Sequence, residues 1–121
     1  MVQARVLFVS TNLFFVPRIH GAVSANGFGL RMTTSESDFW AAYDEGGTSL
    51  ILIDLEIKKD NWIKVVRGLR ENKRDSVRVV AFGPHTDVAL MKEAKEAGCD
   101  SVLSKAEFSK TLPDLLGGLV S

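Results

Sequence analysis

The chain has 121 residues, 45% of them apolar and 25% charged, a balance that suits one globular domain with a core of its own. Fifteen basic and fifteen acidic side chains cancel, which argues against broad electrostatic capture of nucleic acid and leaves little self-repulsion between copies. The lone Cys99 excludes an internal disulfide, no apolar run approaches a membrane span, and Met1 to Ser10 lacks a signal-peptide pattern, so residues 1–121 are expected to form a single cytoplasmic domain.

Short β-rich runs alternate with longer stretches of helical spacing. Arg5-Val6-Leu7-Phe8-Val9 predicts the first strand. A helix follows, with Phe15, Ile19, Ala22 and Val23 on one face, Pro17 in its first turn and Asn26-Gly27 at its end. Phe28 to Met32 alternates as an edge strand does. Ser37 or Asp38 is expected to cap the second helix, which carries Phe39, Trp40 and Tyr43 and stops at Gly46-Gly47. Leu50-Ile51-Leu52-Ile53 is apolar at every position, as in a strand buried on both faces.

Asp60 or Asn61 is expected to cap a third helix with Trp62, Ile63, Val66 and Leu69 inward. Val77 to Phe82 is the fourth strand. Asp87 opens a fourth helix that buries Leu90, Met91, Ala94 and Ala97 and stops at Gly98. Ser101-Val102-Leu103 is the fifth strand. A last helix is expected after Ser109, kept short or irregular by Pro113 and Gly117-Gly118. The pattern is (βα)5: an α/β, doubly wound, parallel five-stranded sheet, for which ligands gather at the carboxyl ends of the strands. That places attention on Ser10-Thr11-Asn12, Thr33-Thr34, Asp54-Leu55-Glu56, Gly83 to Thr86 and Ser104-Lys105.

Three passages then carry a family resemblance: Leu50 to Leu55 ending in Asp54, Val79 to Gly83 with the helix that ends Glu96-Ala97-Gly98-Cys99-Asp100, and Val102-Leu103-Ser104-Lys105. The chain resembles the receiver (response-regulator) domain over nearly its whole length. More narrowly, Phe82 to Asp87 and Phe108 to Leu116 are similar to short, divergent, stand-alone receiver-like bacterial proteins. The resemblance implies strand order 2-1-3-4-5 and a phosphorylation site at the strand ends. It makes Asp54 the phosphoacceptor equivalent and Lys105 the conserved-type lysine. The acidic pair that would bind Mg²⁺ is replaced by Ser10 and Thr11, the hydroxyl position falls on Gly83, the proline after the lysine is Ala106, and the aromatic switch position is Val102.

Phosphoryl transfer rests on positioning and on neutralising oxygen charge. Ser10, Thr11 and Asn12 offer only neutral oxygens, so no metal site is expected there and no cofactor is assigned. Glu56 is a partial substitute in type, although the resemblance assigns its position a backbone role. Two readings stand at Asp54: a direct ion pair with Lys105, which is favoured, and phosphoacceptance. His85 is read as a loop histidine bonded to backbone, with an anion contact as the sharper alternative. His20 is read as a surface residue. Ser10, Thr11, Thr86 and His85 suggest a small polar pocket, although Thr86 or Asp87 is more simply a helix cap. Cys99 is read as a small buried apolar residue. The basic run Lys64, Arg67, Arg70, Lys73 and Arg74 is read as a solvated helix face.

The leading functional expectation is a non-enzymatic pseudo-receiver: a signal-transduction module that binds a protein partner, or a second copy as a homodimer, without Mg-dependent phosphorylation. The resemblance points to Met91, Lys95, Val102 and Glu107 as its partner face, with neither nucleic acid nor membrane as partner. The alternatives are an atypical phospho-receiver, with His85 or Thr86 in place of the missing hydroxyl, and a small-ligand-binding flavodoxin-like protein.

Overall fold

A computed structural model describes residues 4–71 and 77–120 of the chain. Five strands and five helices alternate: β1 (Arg5–Val9), α1 (Val16–Ala25), β2 (Gly29–Thr33), α2 (Glu36–Asp44), β3 (Thr48–Asp54), α3 (Lys59–Glu71), β4 (Arg78–Gly83), α4 (Val88–Ala97), β5 (Ser101–Ser104) and α5 (Lys105–Val120). The strands are all parallel, in the order β2-β1-β3-β4-β5. A 3-10 turn, Leu13–Phe15, stands between β1 and α1.

The near-continuous apolar strands divide their side chains between two faces, because successive residues point to opposite sides of a sheet. Leu7, Val9, Ile51, Ile53, Val79 and Ala81 face a layer that α2, α3 and α4 complete with Phe39, Trp62, Val66, Leu69 and Ala94. Val6, Phe8, Leu50, Leu52, Val80 and Phe82 face the other layer, completed by Ile19 and Val23 of α1 and Phe108, Leu112 and Leu116 of α5. Asp54 continues the second alternation, so its carboxylate emerges at the strand end on the α1–α5 side.

The helix starts depart from the sequence expectation at three places. Ser35 caps α2 by accepting the Asp38 N–H at 3.2 Å, so neither Ser37 nor Asp38 is the cap. The α3 helix begins at Lys59, which puts Asp60 and Asn61 inside its first turn. The largest difference is α5, which is 16 residues long, begins directly after β5 and runs through Pro113. Its start is a reciprocal capping box: Glu107 N–H donates to Ser104 Oγ at 3.1 Å, and Ser104 N–H donates to Glu107 Oε1 at 3.0 Å. Asp87 caps α4 through Leu90 N–H at 3.1 Å, as expected.

Two close approaches lock helices to their neighbours. Gly68 lets the Trp40 ring lie where a Cβ would stand 2.7 Å from its Cζ2, which seats α2 against α3. Arg70 is buried more than a solvated helix face allows. Its guanidinium donates to Gly98 O at 2.8 and 2.6 Å and pairs with Asp100 Oδ2 at 3.0 Å, and the same carboxylate oxygen accepts Val79 N–H at 2.7 Å. Gly98, with φ of 124°, ends α4 where any Cβ would meet Arg70 Cγ at 2.6 Å. The exposed Lys64 and Arg67 fit the solvated reading, and Lys73 and Arg74 lie outside the described residues.

Candidate functional site

Parallel pairing brings the ends of β1, β3 and β4 side by side, with Val9 opposite Ile53 and Asp54 opposite Phe82. Asp54 and Ser10 are both buried there, with 2% and 0% of their surfaces exposed. Ser10 Oγ donates to Asp54 Oδ2 at 2.7 Å, and Glu56 N–H donates to Asp54 Oδ1 at 2.9 Å. Both carboxylate oxygens are thus engaged within the chain. Ser10 Oγ in turn accepts Asn12 N–H at 2.9 Å, so its one proton and an acceptor site are in use.

Burial pushes the Asp54 carboxyl above its usual range, because a desolvated carboxylate is disfavoured. The Ser10 hydrogen bond and, more weakly, the Lys105 charge act against that rise. The expected direct ion pair between Asp54 and Lys105 gives way to another: the Lys105 ammonium pairs with Glu56. The reason is accessibility. Glu56 is an exposed carboxylate that an ammonium reaches while staying hydrated, whereas Asp54 is closed off and already hydrogen-bonded.

The donor set around Asp54 suits a proton donor and not a divalent cation. The side chain beside it is a hydroxyl that points its proton at the carboxylate, and Glu56 is held by Lys105. Thr11 is exposed and turned out at the loop. Among the described residues no three His, Cys, Asp or Glu side chains cluster with metal-binding geometry.

Gly83 is buried at the end of β4, and Leu55 fills the space its side chain would need: a Cβ there would lie 3.2 Å from Leu55 Cβ and 3.4 Å from Leu55 Cδ1. The missing hydroxyl is therefore matched by a packed apolar neighbour. His85 and Thr86 are exposed in the turn before α4, and the cap is Asp87, so the polar pocket suggested with Ser10 and Thr11 reduces to Ser10 and Asp54. Cys99 is buried, and burial pushes its thiol up to about 12, consistent with an inert side chain.

The four residues of the expected partner face all have internal roles. Met91 and Val102 pack on the core layer of α2, α3 and α4. Lys95 Nζ donates to Asp100 O at 2.8 Å, and Glu107 is the acid of the α5 capping box, whose hydrogen bonds to Ser104 lower its pKa. What the sequence expectation missed is the 3-10 turn after Ser10. Asn12 Oδ1 accepts Phe14 N–H at 2.9 Å, and the turn leaves Leu13 and Phe14 70% and 80% exposed. The signal was present: an Asn directly before a run of bulky apolar residues, able to accept the N–H two residues on, is an Asx-turn pattern.

A family profile described as the response regulator receiver domain matches residues 6–116. Comparison with curated protein sequences gives no match. Among solved structures, a response regulator from Thermotoga maritima superposes with TM-score 0.78 at 15% identity, covering 98% of each chain. An orphan response regulator of H. pylori gives TM-score 0.76 at 22% identity, covering 98% of this chain and 97% of that one. NtrX from Brucella abortus gives 0.78 at 15% identity, covering 98% of this chain but 27% of that longer one. At these identities the structural likeness speaks for the fold.

Proposed function

The chain belongs to the response regulator receiver domain family, and on that premise we propose that it is a signalling module that works without Mg-dependent phosphorylation, as a pseudo-receiver. It acts by binding protein in the cytoplasm, with no catalysis of its own.

The observation that carries this reading is the Ser10–Asp54 hydrogen bond of 2.7 Å. A phosphoacceptor carboxylate needs one oxygen free to attack phosphorus and cationic charge to offset the phosphoryl oxygens. Here Asp54 is buried, both of its oxygens accept internal hydrogen bonds, and burial favours its protonated form. Lys105 is held by Glu56, and Leu55 occupies the room a hydroxyl at position 83 would need. Each of these features weakens the atypical phospho-receiver reading. His85 and Thr86, its suggested replacements for the hydroxyl, stand exposed in a turn.

The test is incubation with Mg²⁺ and acetyl phosphate or beryllofluoride, followed by intact-mass spectrometry and ¹H–¹⁵N spectra. The expected result is no added phosphoryl mass and no shift change around Asp54. Stoichiometric modification of Asp54 would overturn the proposal.

A further inference from the structure

We propose that Asn26-Gly27 is a site of spontaneous covalent modification, at which the asparagine side chain closes on the next backbone nitrogen and loses ammonia. The native end of α1 holds this reaction in check, and its product cannot rebuild that end. None of this depends on the state of Asp54.

The sequence supplies the chemistry. The four asparagines, Asn12, Asn26, Asn61 and Asn72, are followed by Leu, Gly, Trp and Lys, so only at Asn26 does the attacking nitrogen belong to a residue with no side chain to crowd it. A planar amide nitrogen is a poor nucleophile, so geometry and access decide whether it reacts. In the reaction, Gly27 N forms a bond to Asn26 Cγ, the Cγ–Nδ2 bond breaks, and ammonia leaves carrying the proton that Gly27 N gives up. Water then opens the five-membered imide at either carbonyl. One opening leaves aspartate at position 26; the other leaves isoaspartate, with the main chain running through Cγ.

The fold supplies the restraint. The end of α1 is a Schellman motif: Phe28 N–H donates to Val23 O at 3.1 Å, Gly27 N–H donates to Ser24 O at 3.0 Å, and Gly27 takes φ of 81°. Phe28 and Val23 meet in the α1–α5 core layer, the apolar contact that accompanies this motif. The nucleophile therefore has its proton tied to a carbonyl. The electrophile is tied too, because Asn26 Nδ2 donates to Ala22 O at 2.9 Å. Asn26 has ψ of 9°, which nearly eclipses its own backbone nitrogen with Gly27 N. Ring closure needs the side chain in that place, and the rotation that brings it there pulls Gly27 and Phe28 off their acceptors. Ser24, Ala25 and Gly27 are exposed, so the last turn opens while the sheet stays paired.

The product is worse suited to the same turn. A carboxylate in place of the amide has no proton for Ala22 O and sets a negative charge at a helix C-terminus. Isoaspartate lengthens the main chain by one atom before Gly27, which takes Gly27 and Phe28 out of register with Ser24 O and Val23 O. An opening that leads to reaction is thus one from which α1 does not fully close again.

The experiment is incubation of the full chain at mildly alkaline pH in buffer, in a series of sub-denaturing urea concentrations and in denaturing urea. Trypsin digestion and mass spectrometry then follow the peptide Ile19–Arg31, whose aspartyl and isoaspartyl products separate by retention. In the unfolded chain Asn26 is expected to convert ahead of Asn12, Asn61 and Asn72. In the native chain its conversion is at least about thirty-fold slower, and rises with urea along a slope shallower than that of global unfolding. The isolated modified chain has a lower urea midpoint than the unmodified one, and Asn26→Asp reproduces part of that fall. No preference for Asn26 in the unfolded chain overturns the assigned chemistry. Equal rates in native and unfolded chains overturn the restraint. Conversion seen only where the chain is globally unfolded overturns the local opening, and a modified chain with the wild-type midpoint overturns the effect on α1.

Discussion

Replacing Ser10 with alanine removes the one side-chain donor to the Asp54 carboxylate among the described residues and leaves its Oδ2 buried without that hydroxyl. Hydrogen bonds to charged groups contribute about 1.5–3 kcal/mol each. For a chain of this size, that corresponds to a fall in Tm of about 5–15 °C. The sign with pH follows from the Asp54 shift. Burial raises its pKa above the usual 3.8, so the stability tied to this group is fully present below that value and is lost as pH rises through the raised folded-state pKa. The Ser10 hydroxyl opposes that loss, because it favours the ionised form. The cost of Ser10→Ala is therefore largest on the alkaline side, where Asp54 is charged. It shrinks on the acid side to the value for a neutral hydrogen bond, about 0.5–1.5 kcal/mol. In an Asp54→Asn background, the cost should be small at every pH. The assay is urea unfolding followed by fluorescence at several pH values between 4 and 9. A cost that is the same across that range, and the same in the Asp54→Asn background, would refute the electrostatic reasoning.

Restoring a hydroxyl at the end of β4 should harm the fold instead of the function. Gly83→Thr places its Cβ against Leu55, and overpacking of this kind costs about 1–3 kcal/mol, read as a lower urea midpoint with an unchanged slope. Arg70→Lys should not substitute for arginine, because one ammonium cannot reproduce the fork onto Gly98 O and Asp100; a loss of about 1–3 kcal/mol is expected, and a variant as stable as wild type would contradict the assignment. Cys99, buried and pushed up to about 12, should resist a thiol-specific disulfide reagent at pH 8 in the native state and react once urea unfolds the chain.

The layered fold was legible because its signals are local and repeated. Leu50 to Ile53 announces a central strand by being apolar throughout, and Asp87 and Gly98 bracket α4 with standard cap chemistry. The α5 start was misplaced for want of weight on Ser104-Lys105-Ala106-Glu107, a four-residue capping box that outcompetes the breaking effect of Pro113 and the two later glycines. Arg70 was hidden for a different reason. Its spacing matches the exposed Lys64 and Arg67, and only the tertiary position of Gly98 turns it inward. At the site, the residue types at Ser10, Asp54, Gly83 and Lys105 were identified from the chain alone, but their pairing was not. Whether Lys105 meets Asp54 or Glu56 depends on which carboxylate water still reaches, and burial of that kind is a property of the assembled sheet end.

The two tryptophans occupy one side of the molecule. Trp62 is wholly buried and Trp40 packs against α3 over Gly68, both in the layer of α2, α3 and α4. The turn bearing Leu13 and Phe14, together with α1, lies across the sheet and contains no indole. Emission from these chromophores therefore reports collapse or melting of the α2, α3 and α4 layer, at a remove from whatever happens on the opposite flank, so the optical folding signal has its source on one side of the sheet.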